Sequence, residues 1–119
     1  MVDALSATFS ALADPTRRSM LARLTQGEAT VNELAEPFDL SLPTISRHLK
    51  VLEKAGLVSK SRSAQWRRCK LETRALHDAD EWMTPYREFF EVRLDRLEQH
   101  LKTMVANEKA DLEKADNDD

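Results

Sequence analysis

The chain has 119 residues, of which 41% are hydrophobic and 33% charged, a composition typical of a single soluble globular domain. No apolar run approaches the ~18 to 20 residues that a bilayer-spanning helix needs. The first ten residues carry Asp3 and no Lys or Arg, so they do not resemble a signal peptide. One cysteine, Cys69, excludes a disulfide framework, and we therefore expect a cytoplasmic protein.

The net charge of −3 conceals a strongly basic segment between residues 41 and 70. This segment has one acid, Glu53, against eight basic side chains, which gives it a net charge of +7. The eight are Arg47, Lys50, Lys54, Lys60, Arg62, Arg67, Arg68 and Lys70. A basic block inside an acidic chain is typical of a surface that binds phosphates, and a solvated charged face is the alternative.

Two amphipathic helices are predicted before Gly27. The first has an apolar stripe at spacings of three and four, formed by Val2, Leu5, Phe9 and Leu12. The second begins with Asp14 as N-cap and Pro15 in the first helical position, and Gly27 ends it. Its apolar face is formed by Met20, Leu21 and Leu24.

The next two helices predict a helix-turn-helix. Thr30 and Glu33 can form a capping box for a helix over 31–37. Ser41 caps a helix over 42–54, with Pro43 tolerated in its first turn and Gly56 after its end. The buried side of this fourth helix is marked by Ile45, Leu49 and Leu52. A short connection joins the two helices, so the second can enter the major groove of DNA.

The rest of the chain predicts a wing and two further helices. Residues 57–60 and 66–71 have the pattern of two strands around a polar tip. A short helix near 74–81 and a long one from about 83 to 105 follow, with Pro85 near the start of the long helix. Residues 107–119 are acidic, and we expect a disordered tail after a domain spanning 1–106. The predicted fold is mainly α with a small β-hairpin: a winged helix-turn-helix of five or six helices.

Three segments resemble the ArsR/SmtB family of small bacterial repressors: residues 12–18 (LADPTRR), 41–52 (SLPTISRHLKVL) and 55–58 (AGLV). Residues 82–90 (WMTPYREFF) and 93–97 (RLDRL) resemble a branch that generally lacks the metal-sensing cysteines and is often encoded beside a START-like protein. The resemblance runs from about residue 5 to 104. It implies a dimeric, cytoplasmic, double-stranded DNA-binding repressor that mostly controls its own operon until an inducer arrives.

The predicted DNA-contacting side chains lie on the fourth helix and on the wing. On the helix they are Ser41, Leu42, Pro43, Thr44, Ser46, Arg47, His48 and Lys50. On the wing they are Lys60, Arg62, Gln65, Arg67 and Arg68. Residues at the start of such a helix usually reach base edges, while basic and hydroxyl side chains hold phosphates. Two interpretations of His48 stay open, a DNA contact and packing against the second helix.

The chain departs from the family pattern at two places in this surface. Leu42 stands where many relatives have a glutamine that can bind adenine, and leucine offers apolar contact alone, for example to a thymine methyl group. Ala64 and Gln65 stand at the wing tip where Gly-Arg is often found. The operator sequence and the wing residue that enters a groove are therefore left open.

The last predicted helix also has an apolar stripe, at spacings of four and three. At ~1.5 Å per residue, about 23 residues span roughly 34 Å, which is more than so small a core can cover. A second copy is the expected partner, and a monomeric core helix is the alternative. The predicted dimer interface consists of Leu5, Phe9, Phe90, Leu94, Leu97, Leu101 and Met104. A two-fold dimer predicts a palindromic operator with half-sites about 34 to 36 Å apart.

Other functions are less favoured. Residues 33–38 have no thiol where metal-sensing relatives place a cysteine pair, and His77 beside the acids of 78–81 is more typical of a solvated helix surface than of a metal site. Cys69 is expected to be a buried structural thiol rather than a redox switch. Two glycines leave no Gly-rich phosphate loop, so we expect no enzyme and no cofactor. A protein-interaction module is the competing class.

Overall fold

In the computed structural model, which describes residues 3–61 and 67–116, the chain forms five helices and a small antiparallel sheet. The helices are α1 (Ala4–Leu12), α2 (Pro15–Leu24), α3 (Val31–Ala35), α4 (Leu42–Lys54) and α5 (Arg74–Asp116). The strands are β1 (Ala29–Thr30), β2 (Val58–Lys60) and β3 (Arg68–Leu71). Because α3 and α4 form a helix-turn-helix and β2 pairs with β3 as a wing, the predicted architecture is confirmed.

Side-chain caps begin the helices where the sequence predicts them. The Asp14 carboxylate accepts a backbone amide in the first turn of α2, and the hydroxyl of Ser41 accepts the amide of Thr44 at 3.3 Å. Thr30 and Glu33 form the predicted capping box, each side chain accepting the backbone amide of the other residue. Such caps are worth about 1 kcal/mol each, because they satisfy amides that have no partner inside the helix.

A glycine in the left-handed region ends α4. Gly56 has φ of +77°, which an L side chain rarely adopts. Its amide donates to the carbonyl of Glu53 at 3.0 Å, and the amide of Leu57 donates to the carbonyl of Leu52 at 2.9 Å. This pair of bonds is a Schellman motif and satisfies the last carbonyls of α4. The carbonyl of Leu57 then accepts the amide of Glu72 at 2.9 Å, so the two ends of the wing are joined.

The sheet has three strands in the order β1-β3-β2, and the sequence predicts only the last two in the chain. Ala29 and Thr30 of β1 pair with Cys69 and Arg68 of β3. Two residues are too few to produce a period-two pattern, and alanine does not favour strands, so β1 has no recognisable sequence pattern. Thr30 thus ends a strand and caps α3 at once, which fixes the helix-turn-helix to the sheet.

The core lies between α2, α3, α4 and the sheet. Its buried side chains are Ala11, Met20, Leu21, Leu24, Ala29, Leu34, Ile45, Leu49, Leu52, Leu57, Val58 and Cys69. The predicted core faces of the second and fourth helices are therefore confirmed. Leu49, at the middle of α4, has no exposed surface, so the helix that carries the predicted DNA contacts is anchored along its length.

The predicted apolar stripe of the first helix is not its buried face. Thr8 and Ala11 are the buried residues of α1, while Leu5 and Leu12 are half-buried. Phe9 is exposed and makes an edge-to-face contact with Trp82, with ring centroids 5.5 Å apart. Small residues let α1 approach the core closely, and the larger stripe is left at the surface. The first residue of that stripe, Val2, lies outside the described residues.

The C-terminal helix differs from the prediction of two helices followed by a tail. One helix, α5, runs from Arg74 to Asp116 with Pro85 inside it. Proline removes one intrahelical hydrogen bond, but residues 86–115 contain no glycine or further proline and are rich in Ala, Leu, Glu, Lys and Arg, which favour a helix. The helix therefore continues well past Val105, and the predicted domain boundary at residue 106 stays a prediction.

The chain divides into two compact units, with the division between Trp82 and Met83. Residues 3–61 and 67–82 contain the helix-turn-helix, the wing and the first part of α5. Residues 83–116 are helical. Within these described ranges, no helix combines the length and the apolar character that a bilayer-spanning segment requires.

Cys69 is buried in the middle of β3, between the exposed side chains of Arg68 and Lys70, as the alternation predicts. Burial raises the pKa of the Cys69 thiol; the nearby Lys60 lowers this pKa and Glu53 raises it, both less strongly than burial does. A thiol with a raised pKa carries less of the nucleophilic thiolate at neutral pH.

We therefore expect iodoacetamide to alkylate Cys69 at least about tenfold more slowly in the native protein than in urea, because the thiol is both protonated and inaccessible. Mass spectrometry at successive times measures the two rates. Glutathione alkylated in the same two solutions serves as the control for any direct effect of urea on the reagent. Equal rates in the native and unfolded protein would contradict a buried structural thiol.

Candidate nucleic-acid interface

The predicted DNA-contacting residues of α4 lie on the face opposite the core. Ile45, Leu49 and Leu52 are buried, and the exposed side chains of the predicted set are Ser41, Leu42, Pro43, Arg47 and Lys50. Thr44 and Ser46 are half-buried at the margin of this face. The structure therefore exposes five of the eight predicted residues of α4, with the basic side chains of Arg47 and Lys50 within a single turn of each other.

The start of α4 combines a satisfied cap with an exposed apolar side chain. The hydroxyl groups of Ser41 and Thr44 lie 2.9 Å apart and share a hydrogen bond. The side chain of Leu42 is 51% exposed, so it contributes little to the core. A polar cap beside an exposed leucine can contact both a phosphate and a thymine methyl group.

His48 packs against the N-terminal end of α2, which was one of the two interpretations left open. Its side chain is only 19% exposed, and its Nδ1 lies 3.3 Å from Nη1 of Arg17. The same Nδ1 is 4.0 Å from Oδ2 of Asp14. Nδ1 of His48 thus has its neighbours within the protein, on α2 and its cap. A DNA contact by His48 stays a prediction.

The wing adds exposed cations beside α4. Arg67 and Arg68 are exposed at the start of β3. Lys60, at the end of β2, is half-buried, and its Nζ lies 3.8 Å from Oε2 of Glu53, the single acid of the basic segment. Part of the Lys60 charge is thus compensated within the protein. The two remaining predicted wing residues, Arg62 and Gln65, lie outside the described residues.

The residues predicted to form a dimer seam are solvent-exposed on α5. Phe90, Leu94, Leu97, Leu101 and Met104 are between 47% and 61% exposed. Their spacing places them along one face of the helix. On α1, Phe9 is exposed and Leu5 half-buried. Large apolar side chains in a continuous exposed stripe indicate a protein contact surface.

Three potential metal ligands meet at the start of α5. Ligand atoms of His77, Asp78 and Glu81 lie within 4.8 Å of one another, and all three residues are exposed. His77 and Glu81 are one helical turn apart, with Nε2 and Oε1 separated by 3.8 Å, so the helical period alone explains their proximity. All three side chains are exposed, and among the described residues we find no further side chain that holds them in place as the ligands of a metal site usually are. A solvated helix surface stays the predicted interpretation.

Arg17 contacts His48 on α4, and the sequence pattern did not predict this contact. Arg17 belongs to the segment 12–18, which carries part of the family resemblance, yet no periodic pattern assigns it a partner. In the structure its guanidinium reaches both the end of α1 and the side chain of His48 on α4. The 31 residues that separate Arg17 from His48 explain why the contact cannot be derived from local spacing.

Comparison with known protein families and curated sequences gives consistent results. A helix-turn-helix domain family model matches residues 12–60. The transcriptional repressor SdpR of Bacillus subtilis is 41% identical over 75 residues, which cover 63% of this chain and 83% of SdpR. The HTH-type transcriptional regulator Rv2034 of Mycobacterium tuberculosis is 50% identical over 50 residues, which cover 42% of this chain and 47% of Rv2034.

Solved structures agree with the sequence matches. The crystal structure of an ArsR family transcriptional regulator superposes with a TM-score of 0.69 and 39% identity, covering 75% of this chain and 98% of that protein. A homodimeric winged helix-turn-helix DNA-binding domain of Mb0332 from Mycobacterium bovis, a possible ArsR-family regulator, superposes with a TM-score of 0.56 and 26% identity. The latter match covers 79% of this chain and 84% of that domain.

Proposed function

Because the chain belongs to the ArsR family of winged helix-turn-helix transcriptional regulators, we propose that it is a cytoplasmic repressor that binds a palindromic operator upstream of its own gene as a homodimer. The observation that carries this proposal is the outward face of α4, where exposed cap, apolar and basic side chains are grouped on a helix whose other face is fully buried. The signal that ends repression is left open: an inducer of unknown chemistry and the absence of any inducer both fit this proposal.

In this proposal α4 is the recognition helix. Ser41, Leu42 and Thr44 are at its N-terminal end, which is the part that reaches base edges in helix-turn-helix proteins. Arg47 and Lys50, one turn further along, bind phosphates and hold the helix in register. Leu42 reads apolar base surface in place of an adenine-binding amide, so we expect the operator to differ from those of relatives that have glutamine.

The wing supplies a second set of backbone contacts. Arg67 and Arg68 are exposed at the start of β3, the strand that pairs with β2 in the wing. Lys60, with Glu53 beside it, contributes a weaker phosphate contact. Arg62 and Gln65 complete the proposed wing contacts.

The homodimer is proposed from the exposed apolar stripe on α5. A face that carries Phe90, Leu94, Leu97, Leu101 and Met104 is unfavourable in water and is covered most economically by a second copy. The related Mb0332 domain is homodimeric, which supports the same assembly here. Leu5 and Phe9 on α1 are the other two residues that we assign to the dimer interface. A two-fold dimer presents two recognition helices to half-sites about 34 to 36 Å apart.

The experiment that tests the function is footprinting of the protein on the DNA upstream of its own gene, followed by a salt titration of binding. We expect a protected, near-palindromic site, and an affinity whose logarithm falls by about 0.9 per neutralised phosphate for each decade of salt. A random duplex of the same length is the control. Absence of a protected site, or an affinity that does not change with salt, would instead favour a protein-interaction module.

Arg47→Ala should weaken binding to promoter and random DNA alike, by about threefold to tenfold, because we assign Arg47 to a phosphate. The salt slope should fall by about one phosphate equivalent. Lys114→Ala removes the same charge from the last turn of α5 and is the matched control. A loss of affinity confined to one base position of the operator would assign Arg47 to base reading instead.

A further inference from the structure

The guanidinium of Arg17 connects three helices. Its Nε donates to the carbonyl of Ala11 at 2.7 Å, and its Nη2 donates to the carbonyl of Ser10 at 3.0 Å. Its Nη1 lies 3.3 Å from Nδ1 of His48 on α4. Arg17 itself lies in the first turn of α2, where its backbone amide donates to the cap residue Asp14 at 3.0 Å.

The contacts with α1 are favourable for a specific reason. The last carbonyls of a helix have no intrahelical partner and form the negative end of the helix dipole. The planar guanidinium presents several N–H donors in a fixed geometry, so it can bond the carbonyl of Ala11 and also that of Ser10, which accepts the amide of Ala13 as well. Arg17 therefore holds the end of α1 against the start of α2, and this arrangement also fixes the direction in which Nη1 points.

The contact with α4 places the guanidinium against one ring nitrogen of His48. A guanidinium has donors and no acceptor, so the 3.3 Å contact is a hydrogen bond when Nδ1 is the acceptor. Only 19% of the His48 side chain is exposed, and its contact with Arg17 restricts the orientation of the ring. His48 is adjacent in sequence to Arg47, one turn after Thr44.

We propose that Arg17 is a positioning residue for DNA reading: through His48 it fixes the orientation of α4 relative to the end of α1, so that base recognition at the start of α4 depends on a side chain that does not contact DNA. The proposal rests on the function proposed above. Arg17 also belongs to the same packed unit as α1, so the contact connects the recognition helix to a helix that carries part of the proposed dimer seam.

Arg18 supplies a matched control. It is an exposed neighbour of the same charge, and its Nη1 donates to the carbonyl of Leu12 at 2.8 Å. Among the described residues its hydrogen bond thus goes to α1 and not to α4. If a positive charge near α1 were sufficient, Arg17→Ala and Arg18→Ala would have the same effect on DNA binding.

The test compares Arg17→Ala, Arg17→Lys and Arg18→Ala in the full-length chain, with promoter DNA and a random duplex at several salt concentrations. We expect Arg17→Ala to lower promoter affinity by about tenfold to hundredfold, the usual effect of losing hydrogen bonds to a charged group. Affinity for random DNA and the salt slope should not change. Arg17→Lys should fail similarly, because one ammonium cannot bridge two carbonyls and the ring. Arg18→Ala should retain promoter affinity.

A double-mutant cycle shows whether Arg17 acts through His48. In the His48→Leu background, Arg17→Ala should cause little further loss of promoter affinity, because the contact is already broken. An undiminished effect in that background would overturn the proposal. The His48→Leu variant also breaks the contact while leaving the bonds between Arg17 and α1, so it tests the role of the contact if Arg17→Ala fails to fold.

Three further results would count against the role of Arg17. A loss of affinity for both DNAs with a smaller salt slope would make Arg17 a phosphate contact. A loss for both DNAs with a lower melting temperature would make it a scaffold residue. Promoter preference kept by Arg17→Ala would remove its role while leaving the proposed function intact. A wild-type protein that does not distinguish promoter from random DNA, or whose promoter affinity does not change with salt, would overturn both.

Discussion

Replacing Leu97 by glutamate is expected to convert the dimer to a monomer and to abolish promoter binding. Leu97 is at the centre of the exposed stripe on α5, with Phe90 and Leu94 before it and Leu101 and Met104 after it. A two-fold interface would bury the new carboxylate together with its symmetry mate, and two unpaired like charges in an apolar contact are strongly unfavourable. A monomer presents one recognition helix, so the gain from simultaneous binding of two half-sites is lost.

Analytical ultracentrifugation and promoter binding measure the two parts of this prediction. Gln99→Glu is the matched control, because it adds the same charge to α5 two residues away and on the opposite side of the helix. We expect that control to remain dimeric and to bind normally. A Leu97→Glu protein that sediments as an intact dimer would show that the dimer interface does not include this stripe. A monomeric Leu97→Glu protein with unchanged promoter affinity would show that DNA binding does not require a dimer.

Replacing Leu49 by alanine should destabilise the protein by about 2 to 5 kcal/mol, the range for truncation of a fully buried leucine. Leu49 has no exposed surface and lies on the buried side of α4, where it is part of the core. Domains of this size are typically stable by about 5 to 15 kcal/mol, so the loss is a large part of the total. Urea denaturation followed by circular dichroism measures the free energy of unfolding.

Leu42→Ala on the same helix is the control for this second prediction. The same substitution at a side chain that is 51% exposed should change the free energy of unfolding by less than about 0.5 kcal/mol. It should instead change the preference among operator bases, since Leu42 is at the base-reading end of α4. If the two variants were equally destabilised, the division of α4 into a buried and an outward face would be wrong.

Features that depend on neighbouring residues could be predicted from the sequence. The caps at Asp14, Thr30 and Ser41 require residues within one turn, and all three are present in the structure. The buried face of α4 follows from a period of 3.6 residues, which is also local. The helix-turn-helix, the wing strands β2 and β3 and the buried face of α4 therefore follow from local sequence patterns, while the assignment of DNA contacts stays a prediction.

Features that depend on distant parts of the chain could not be derived in this way. Strand β1 exists because β3 offers a free edge to Ala29 and Thr30, which is a tertiary effect. The inward face of α1 is chosen by how closely small residues can approach the core, and not by where its largest apolar side chains recur. The contact between Arg17 and His48 is set by the packing of α2 on α4, so sequence spacing alone leaves both partners of His48 possible.

The Schellman motif at Gly56 has a consequence for how the protein would span its operator. α4 and β2 are joined by one turn in which the amides of Gly56 and Leu57 donate to the end of α4, and the carbonyl of Leu57 accepts the amide of Glu72 after β3. These hydrogen bonds restrict bending between α4 and the strands β2 and β3, so we expect the helix and the two strands to move together. If the protein binds two half-sites as proposed, we expect each half-site to have a constant width, with variation among operators confined to the bases within the half-site and to the spacer between the two.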